Sequence, residues 1–194
     1  MMDMLAAPET AQFFLERTAA FQEHAAVQFA RAGVDIVITG DDVAGQKGLL
    51  LSRETWREFL KPRLSATVRA VKAVNPATSV LYHSDGNVEP IIPELIEIGI
   101  DVLNPIQPAA MDPVKLKAEY GDKLCFWGSM DIQQTLPFGT PEEVRAEVLT
   151  RLGTIGRGGG LIIGPTHNLQ LDTPLENFWA MVDAIRNTPY NTLQ

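Results

Sequence analysis

Two short joints in this chain nearly repeat each other: Ala32-Gly33-Val34-Asp35-Ile36-Val37 and Ile98-Gly99-Ile100-Asp101-Val102-Leu103. In each, a glycine closes a stretch of helical apolar spacing and an aspartate opens a β-branched run. Glycine takes the left-handed conformation that ends a helix, and a joint this short is an αβ turn. A chain that hands helix directly to strand twice in the same way is built from alternating βα units, and such units form a parallel sheet.

The remaining pattern agrees. Residues 9–32 carry Phe13, Leu15, Ala20, Phe21, Ala25, Val27 and Phe29 at helical spacing. The first strand lies in the run 34–42, followed by a long helix over about 53–74 with Ser52 as its cap and Glu54 in its first turn. Strands are expected at 79–83, 101–107, 123–129 and 160–167. Helices are expected at about 89–98, after Pro113, from Pro141 to about 156, and from Pro174 to about Asn187. The order is one helix and then five strand–helix units, either in an open doubly wound sheet or in part of a barrel. No Gly-x-Gly-x-x-Gly follows the first strand, and the glycine run at 156–160 precedes a strand, so neither supports a phosphate loop.

Polar residues collect where the strands end. The five exits are Thr39-Gly40-Asp41-Asp42, His83-Ser84-Asp85-Gly86-Asn87, Asn104-Pro105-Ile106-Gln107, Gly128-Ser129-Met130-Asp131 and Gly164-Pro165-Thr166-His167-Asn168. Parallel βα folds place their active sites at this face, which points to an enzyme. His83 and Asp85 stand two apart, so their side chains can share a direction, and His167 can join them from another strand. Imidazole and carboxylate can together hold a metal ion, or they can simply hydrogen-bond one another and the loops. Asp41 and Asp42 can be ligands, substrate acceptors or braces of their loop. Cys125 falls within a strand and reads as a small core residue.

Net charge is −8 over 194 residues, which disfavours nucleic acid as a partner. No apolar run reaches the roughly 18 residues of a membrane span, and the first residues lack a signal-peptide pattern. A single cysteine fits a reducing, cytoplasmic setting.

Five segments carry a resemblance to a known family: GDDVAGQKGLLLSRETWREFLKP, YHSDGNVEPIIPELIEIGIDVLNPIQ, FWGSMD, FGTPEEVRAEV and GPTHNLQLDTPLENFWAMVDA. In order and spacing, the chain resembles the uroporphyrinogen decarboxylase superfamily from about residue 10 to 187, and within it the corrinoid-dependent methyltransferases. The resemblance implies a single α/β domain over residues 1–194 with the fold of a partial TIM-type (β/α)8 barrel, its last five parallel strand–helix units. Zinc methyltransferases of this family have a His-x-Cys-Gly-Asn motif and a further cysteine six residues before Thr-Pro. Here those ligand positions are His83, Asp85 and His167, the last six residues before Thr173-Pro174, so both cysteines are replaced. The decarboxylases have a histidine in Gly-His-Gly at the position of His167, where it contributes to substrate binding, while their arginine-rich substrate motif belongs to the N-terminal part.

The favoured expectation is methyl transfer. Zinc held by His83, Asp85 and His167 acts on a small methylated substrate, and Asp41, Asp42, Asn104, Gln107 and Asp131 line the pocket. The corrinoid sits on a partner protein. A cofactor-free decarboxylase of porphyrin biosynthesis is the alternative, with Lys47 and Arg53 as the nearest cations for substrate carboxylates. A third reading is a non-catalytic half-barrel that binds a partner chain. Five units alone are expected to expose apolar residues such as Val37, Leu81 and Ile162, and so to self-associate or to take an N-terminal barrel-completing chain.

Overall fold

The structure, a computed structural model, describes residues 1–189, which fall into two compact units, one over Met1–Val102 and one from Leu103 onward. The first contains α1 (Met2–Ala6), α2 (Pro8–Arg31), β1 (Ile36–Gly40), a hairpin of β2 (Ala44–Gly45) and β3 (Gly48–Leu49), α3 (Arg53–Phe59), α4 (Lys61–Val74), β4 (Ser79–His83), a 3-10 turn (Glu89–Ile91) and α5 (Ile92–Glu97). Then β5 (Val102–Ile106) leads into α6 (Pro113–Tyr120), β6 (Cys125–Met130), α7 (Thr135–Phe138), α8 (Pro141–Gly153), β7 (Leu161–Pro165) and α9 (Leu175–Asn187).

The five longer strands form a sheet in the order β1-β4-β5-β6-β7. β1 and β4 pair in parallel, as do β6 and β7. Sequential order with a helix after each strand is the arrangement of successive units in a TIM-type barrel, as the family resemblance implied. Among the described residues no helix is long and apolar enough to cross a membrane.

Both αβ joints turn at a glycine with positive φ, 81° at Gly33 and 93° at Gly99. Their aspartates differ in use. Asp35 contributes its backbone carbonyl to the amide of Ser79 at 2.8 Å. The Asp101 carboxylate instead accepts from the amide of Val80 and from Lys72 Nζ, each at 2.7 Å. A repeated sequence motif therefore does two different jobs.

The helix expected over 53–74 is two helices, with Leu60 at the junction. Pro62 supplies the reason: it has no amide hydrogen, and its ring clashes with the carbonyl four residues earlier in a continuous helix. Ser52 caps α3 as expected, its hydroxyl accepting from the amide of Thr55 at 3.0 Å. Thr140 and Glu143 form a reciprocal capping box at the start of α8. The hairpin and the short helices α1 and α7 are additions that the apolar pattern does not show.

Exposure of the strands also differs from expectation. Val37 and Leu81 are buried and Ile162 is half-buried, while the exposed strand residue is Ile38. Alternate residues of a strand face opposite ways, so Val37 and Ile38 meet different surroundings. In β4, Val80, Leu81 and Tyr82 are all buried, so both faces of that strand are covered.

Each unit has its own core. In the first, Trp56, Val71, Val80, Tyr82, Ile91, Ile92 and Leu95 are fully buried. In the second, Met130, Leu136, Val144, Val148, Ala180 and Met181 pack together. Asn177 lies within that second core and its amide donates to the carbonyls of Leu136 and Gly139 at 2.9 and 2.7 Å. It thereby satisfies carbonyls at the end of α7 that have no partner in the helix.

One buried carboxylate ties helices of the first unit together. Glu94 of α5 accepts from Arg53 and Arg57 of α3 and from Lys61 of α4, at 2.6, 3.0 and 2.9 Å. Burial pushes its carboxyl up, but hydrogen bonds from Arg57, Lys61 and Arg53 outweigh this and hold it at about 2. Its stabilising contribution is therefore present above the ordinary carboxylate range and is lost as pH falls through that value.

Glu94→Gln is expected to destabilise the fold by about 1–3 kcal/mol at neutral pH. The gap between variant and parent should narrow as pH falls from 4.5 towards about 2, measured by urea unfolding at a series of pH values. Asn177→Ala should cost about 2 kcal/mol by leaving buried carbonyls unpaired, and the same unfolding measurement checks it.

Candidate functional site

The site begins with a close backbone approach. In the β1–β4 register, Gly40 lies opposite His83. A Cβ at Gly40 would collide with the His83 carbonyl oxygen, so the two strand ends can come this close only with glycine there. The next amide, that of Asp41, donates to the same carbonyl at 3.2 Å. Asp41 and Asp42 therefore leave β1 directly beside His83.

The loop after β4 is fastened to the hairpin. Buried Ser84 accepts from the amide of Val43 at 3.2 Å and donates to the Asp85 carbonyl at 3.0 Å. The Asp85 amide donates to Asp42 Oδ1 at 3.0 Å. Gly86 has φ 81° and sits so close to Ala44 and Gly45 that any side chain would strike their backbone. The Asn87 amide then donates to the Gly45 carbonyl at 2.8 Å. The sequence Tyr82-His83-Ser84-Asp85-Gly86-Asn87 is thus a structural clasp that also presents chemistry.

Asp42, His83 and Asp85 each offer one ligand atom, and these atoms lie within 4.8 Å of one another. His83 Nε2 is 3.8 Å from Asp42 Oδ1. Imidazole nitrogen with two carboxylate oxygens, one exposed and two half-buried residues in all, is a donor set that fits a divalent cation. The structure brings together His83 and Asp85 as expected, but the third member beside them is Asp42, which the sequence placed among the substrate contacts. No local spacing marks Asp42 for this place; the register that sets Gly40 opposite His83 brings it there.

Asp41 stands next to this group. Crowding by the surrounding protein, and then the Asp42 charge, raise its carboxyl above the ordinary range, although the residue is exposed. The Tyr82 hydroxyl donates to the Asp41 carbonyl at 3.3 Å. Burial pushes that phenol up, with Asp41 adding to the effect, so it remains a donor. A groove of about 420 Å³ opens along β1 and α2, with Asp41, Asp42 and His83 at its polar end and Phe21, Phe29 and Ile38 among its apolar walls.

The other expected site residues belong to the second unit. His167 is exposed just beyond β7. Asn104 lies inside β5 rather than after it, and its amide donates to the Trp127 carbonyl of β6 at 3.4 Å. Gln107 follows β5 and is buried, its carbonyl accepting from the amides of Ala110 and Met111. Asp131 follows β6, accepts from the amide of Gln133 at 2.7 Å, and its own amide donates to Glu147 at 3.3 Å. Cys125 is half-buried at the start of β6, and burial pushes its thiol up. Of the two cations considered for substrate carboxylates, Arg53 is engaged by Glu94 and Lys47 lies exposed in the hairpin turn.

Comparison with known proteins accords with this architecture. The family model for uroporphyrinogen decarboxylase (URO-D) matches residues 1–188. A uroporphyrinogen decarboxylase of Chlorobium phaeobacteroides is 26% identical over 182 residues, covering 92% of this chain and 49% of its own. The methylcobamide:CoM methyltransferase MtaA of Methanosarcina barkeri is 26% identical over 192 residues, covering 94% of this chain and 53% of its own. A methyltransferase structure from Methanosarcina mazei shares the fold, with a TM-score of 0.75 at 24% identity over 95% of this chain and 51% of that one. The chain spans about half the length of the curated relatives it matches. With the family model matching almost all of its described length, the chain belongs to the uroporphyrinogen decarboxylase family.

Proposed function

We propose that this protein is a metal-assisted methyltransferase of its family, moving a methyl group from a small methylated substrate to a corrinoid carried by a partner protein. The observation that carries the reading is the convergence of Asp42, His83 and Asp85 at the paired ends of β1 and β4. Asp42, His83 and Asp85 would hold a zinc ion, which would supply Lewis-acid polarisation of the substrate oxygen or sulfur. A reduced corrinoid on the partner would supply the electron pair for the new bond to the methyl carbon, and the heteroatom would keep the pair of the bond that breaks. The protein contributes positioning: His83 and Asp85 as donors, the Asp42 carboxylate between them, and Asp41 facing the substrate.

His167 keeps its expected catalytic and metal role as a proposal, as do Asn104, Gln107 and Asp131 their substrate roles. The likeness to MtaA supports the reading, as does the donor set. The rival decarboxylase reading draws on relatives of that name. It needs cations to receive carboxylates, and Arg53 is already bound to a buried carboxylate. A companion chain that completes a barrel, or self-association, is compatible with either.

Purified protein is expected to take up one zinc per chain from micromolar solution, measured by calorimetry and elemental analysis. His83→Ala should abolish that uptake, and Asp42→Asn or Asp85→Asn should weaken it by about tenfold or more, or ~1.4 kcal/mol. Failure of the parent protein to bind zinc overturns the reading. His167→Ala tests the remaining assignment: zinc affinity falls if His167 is a ligand, and is unchanged if Asp42 has taken that place.

A further inference from the structure

β6 lies between β5 and β7, and its last residues depart from ordinary strand geometry. Gly128 has φ 105° and Ser129 has φ 77°. Ser129 is the one residue other than glycine with positive φ among the described residues, a conformation in which a Cβ crowds the backbone. It is fully buried, and its hydroxyl has no hydrogen-bond partner in the protein.

Two side chains of α8 hold this bend. Arg151 Nε donates to the Ser129 carbonyl at 3.0 Å, and a terminal guanidinium nitrogen donates to Glu147 Oε1 at 2.9 Å. The same Glu147 oxygen accepts from the Asp131 amide at 3.3 Å, while Glu147 Oε2 is buried without a partner. The pair thus grips the peptide groups on both sides of Met130. The Met130 carbonyl accepts from the amide of buried Thr166 at 3.0 Å, and His167 follows. The Asp131 carbonyl accepts from the Leu136 amide in α7, also at 3.0 Å.

A left-handed serine, an unpartnered hydroxyl and an unpartnered carboxylate oxygen each cost stability. Val144 and Val148 of the same helix pack into the core as apolar side chains. A helix that had only to cover β6 would be served by such residues at 147 and 151 too, because apolar groups commonly replace a buried ion pair without loss. Costs gathered at one strand exit mark a place held for function.

We infer that Glu147 and Arg151 are positioning residues: their ion pair fixes the exit of β6 so that Asp131 meets substrate and Thr166 sets the start of the His167 loop. The inference rests on the reading of Asp131 and His167 as site residues. Both members of the pair act through the backbone of Ser129, Met130 and Asp131 and not on substrate.

Arg151→Lys keeps the charge beside Glu147 but gives up the fork of donors that also reaches Ser129. Amide hydrogen exchange is read residue by residue on the full chain. Exchange at Asp131 and Thr166 is expected to speed up about tenfold or more, with the amides of α9 at their parental rates. Ser129→Gly removes the strain that the pair holds, so Arg151→Lys/Ser129→Gly should bring both amides back to within about twofold of the parent. With methanol as donor and free cob(I)alamin as acceptor, Arg151→Lys should raise KM for methanol about tenfold while kcat falls less, and the double variant should restore KM. Faster exchange spread through the second unit, α9 included, shows a pair that serves stability alone and overturns the inference. So do unchanged exchange at Asp131 and Thr166, and a double variant that exchanges as fast as Arg151→Lys. If Arg151→Lys does not fold, Glu147→Gln is read in the same way, and loss of the fold in both also overturns the inference. A parent protein that transfers no methyl group counts against the methyl-transfer reading, and the exchange rates still decide the positioning role.

Discussion

The arrangement of the candidate site depends on a steric constraint at Gly40, whose missing side chain leaves room for the His83 carbonyl. Parallel strands set their Cα atoms at a fixed spacing, and a side chain at this point would push the end of β1 away from β4. With glycine there, the Asp41 amide reaches the His83 carbonyl, and the two acids emerge alongside the imidazole. Gly86 repeats the device on the other side of the loop, where backbone of the β2–β3 hairpin takes the space of its side chain. Two absent side chains thus allow an imidazole and two carboxylates to meet, and Ser84 and Asn87 hold the loop in place.

The acids of the first unit divide by their surroundings. Glu94 is buried among three cations and its carboxyl is held far below the usual range, so it stays charged and joins helices. Asp41 has no lysine or arginine beside it in the groove; burial and Asp42 push its carboxyl upward. Arg53, just beyond the hairpin, likewise contributes to the fold through Glu94 and not to the groove.

The family contains relatives named as decarboxylases and a relative named as a methyltransferase, at similar identity to this chain. Membership therefore leaves the reaction open, because one fold carries different chemistries in the residues at its strand ends. The decision rests on the donors themselves. Here they are an imidazole and two carboxylates, and the thiolates that the resemblance would supply are absent.

Much of the fold was legible because it is local. Apolar periodicity marks the five longer strands and the longer helices, Thr140 and Ser52 mark helix starts, and Gly33 and Gly99 mark helix ends, all within a few residues of the feature they control. His83 and Asp85 were legible as a pair for the same reason, being two residues apart at a strand end. Pro62 was equally visible, yet the long apolar pattern around it concealed the break at Leu60. The partnership of Asp42 with Asp85 joins residues 43 apart, and that of Asn177 with Leu136 joins residues 41 apart. Which acid stands beside His83 follows from strand register and order. Those are set by packing between distant segments, and no local spacing in the sequence encodes them.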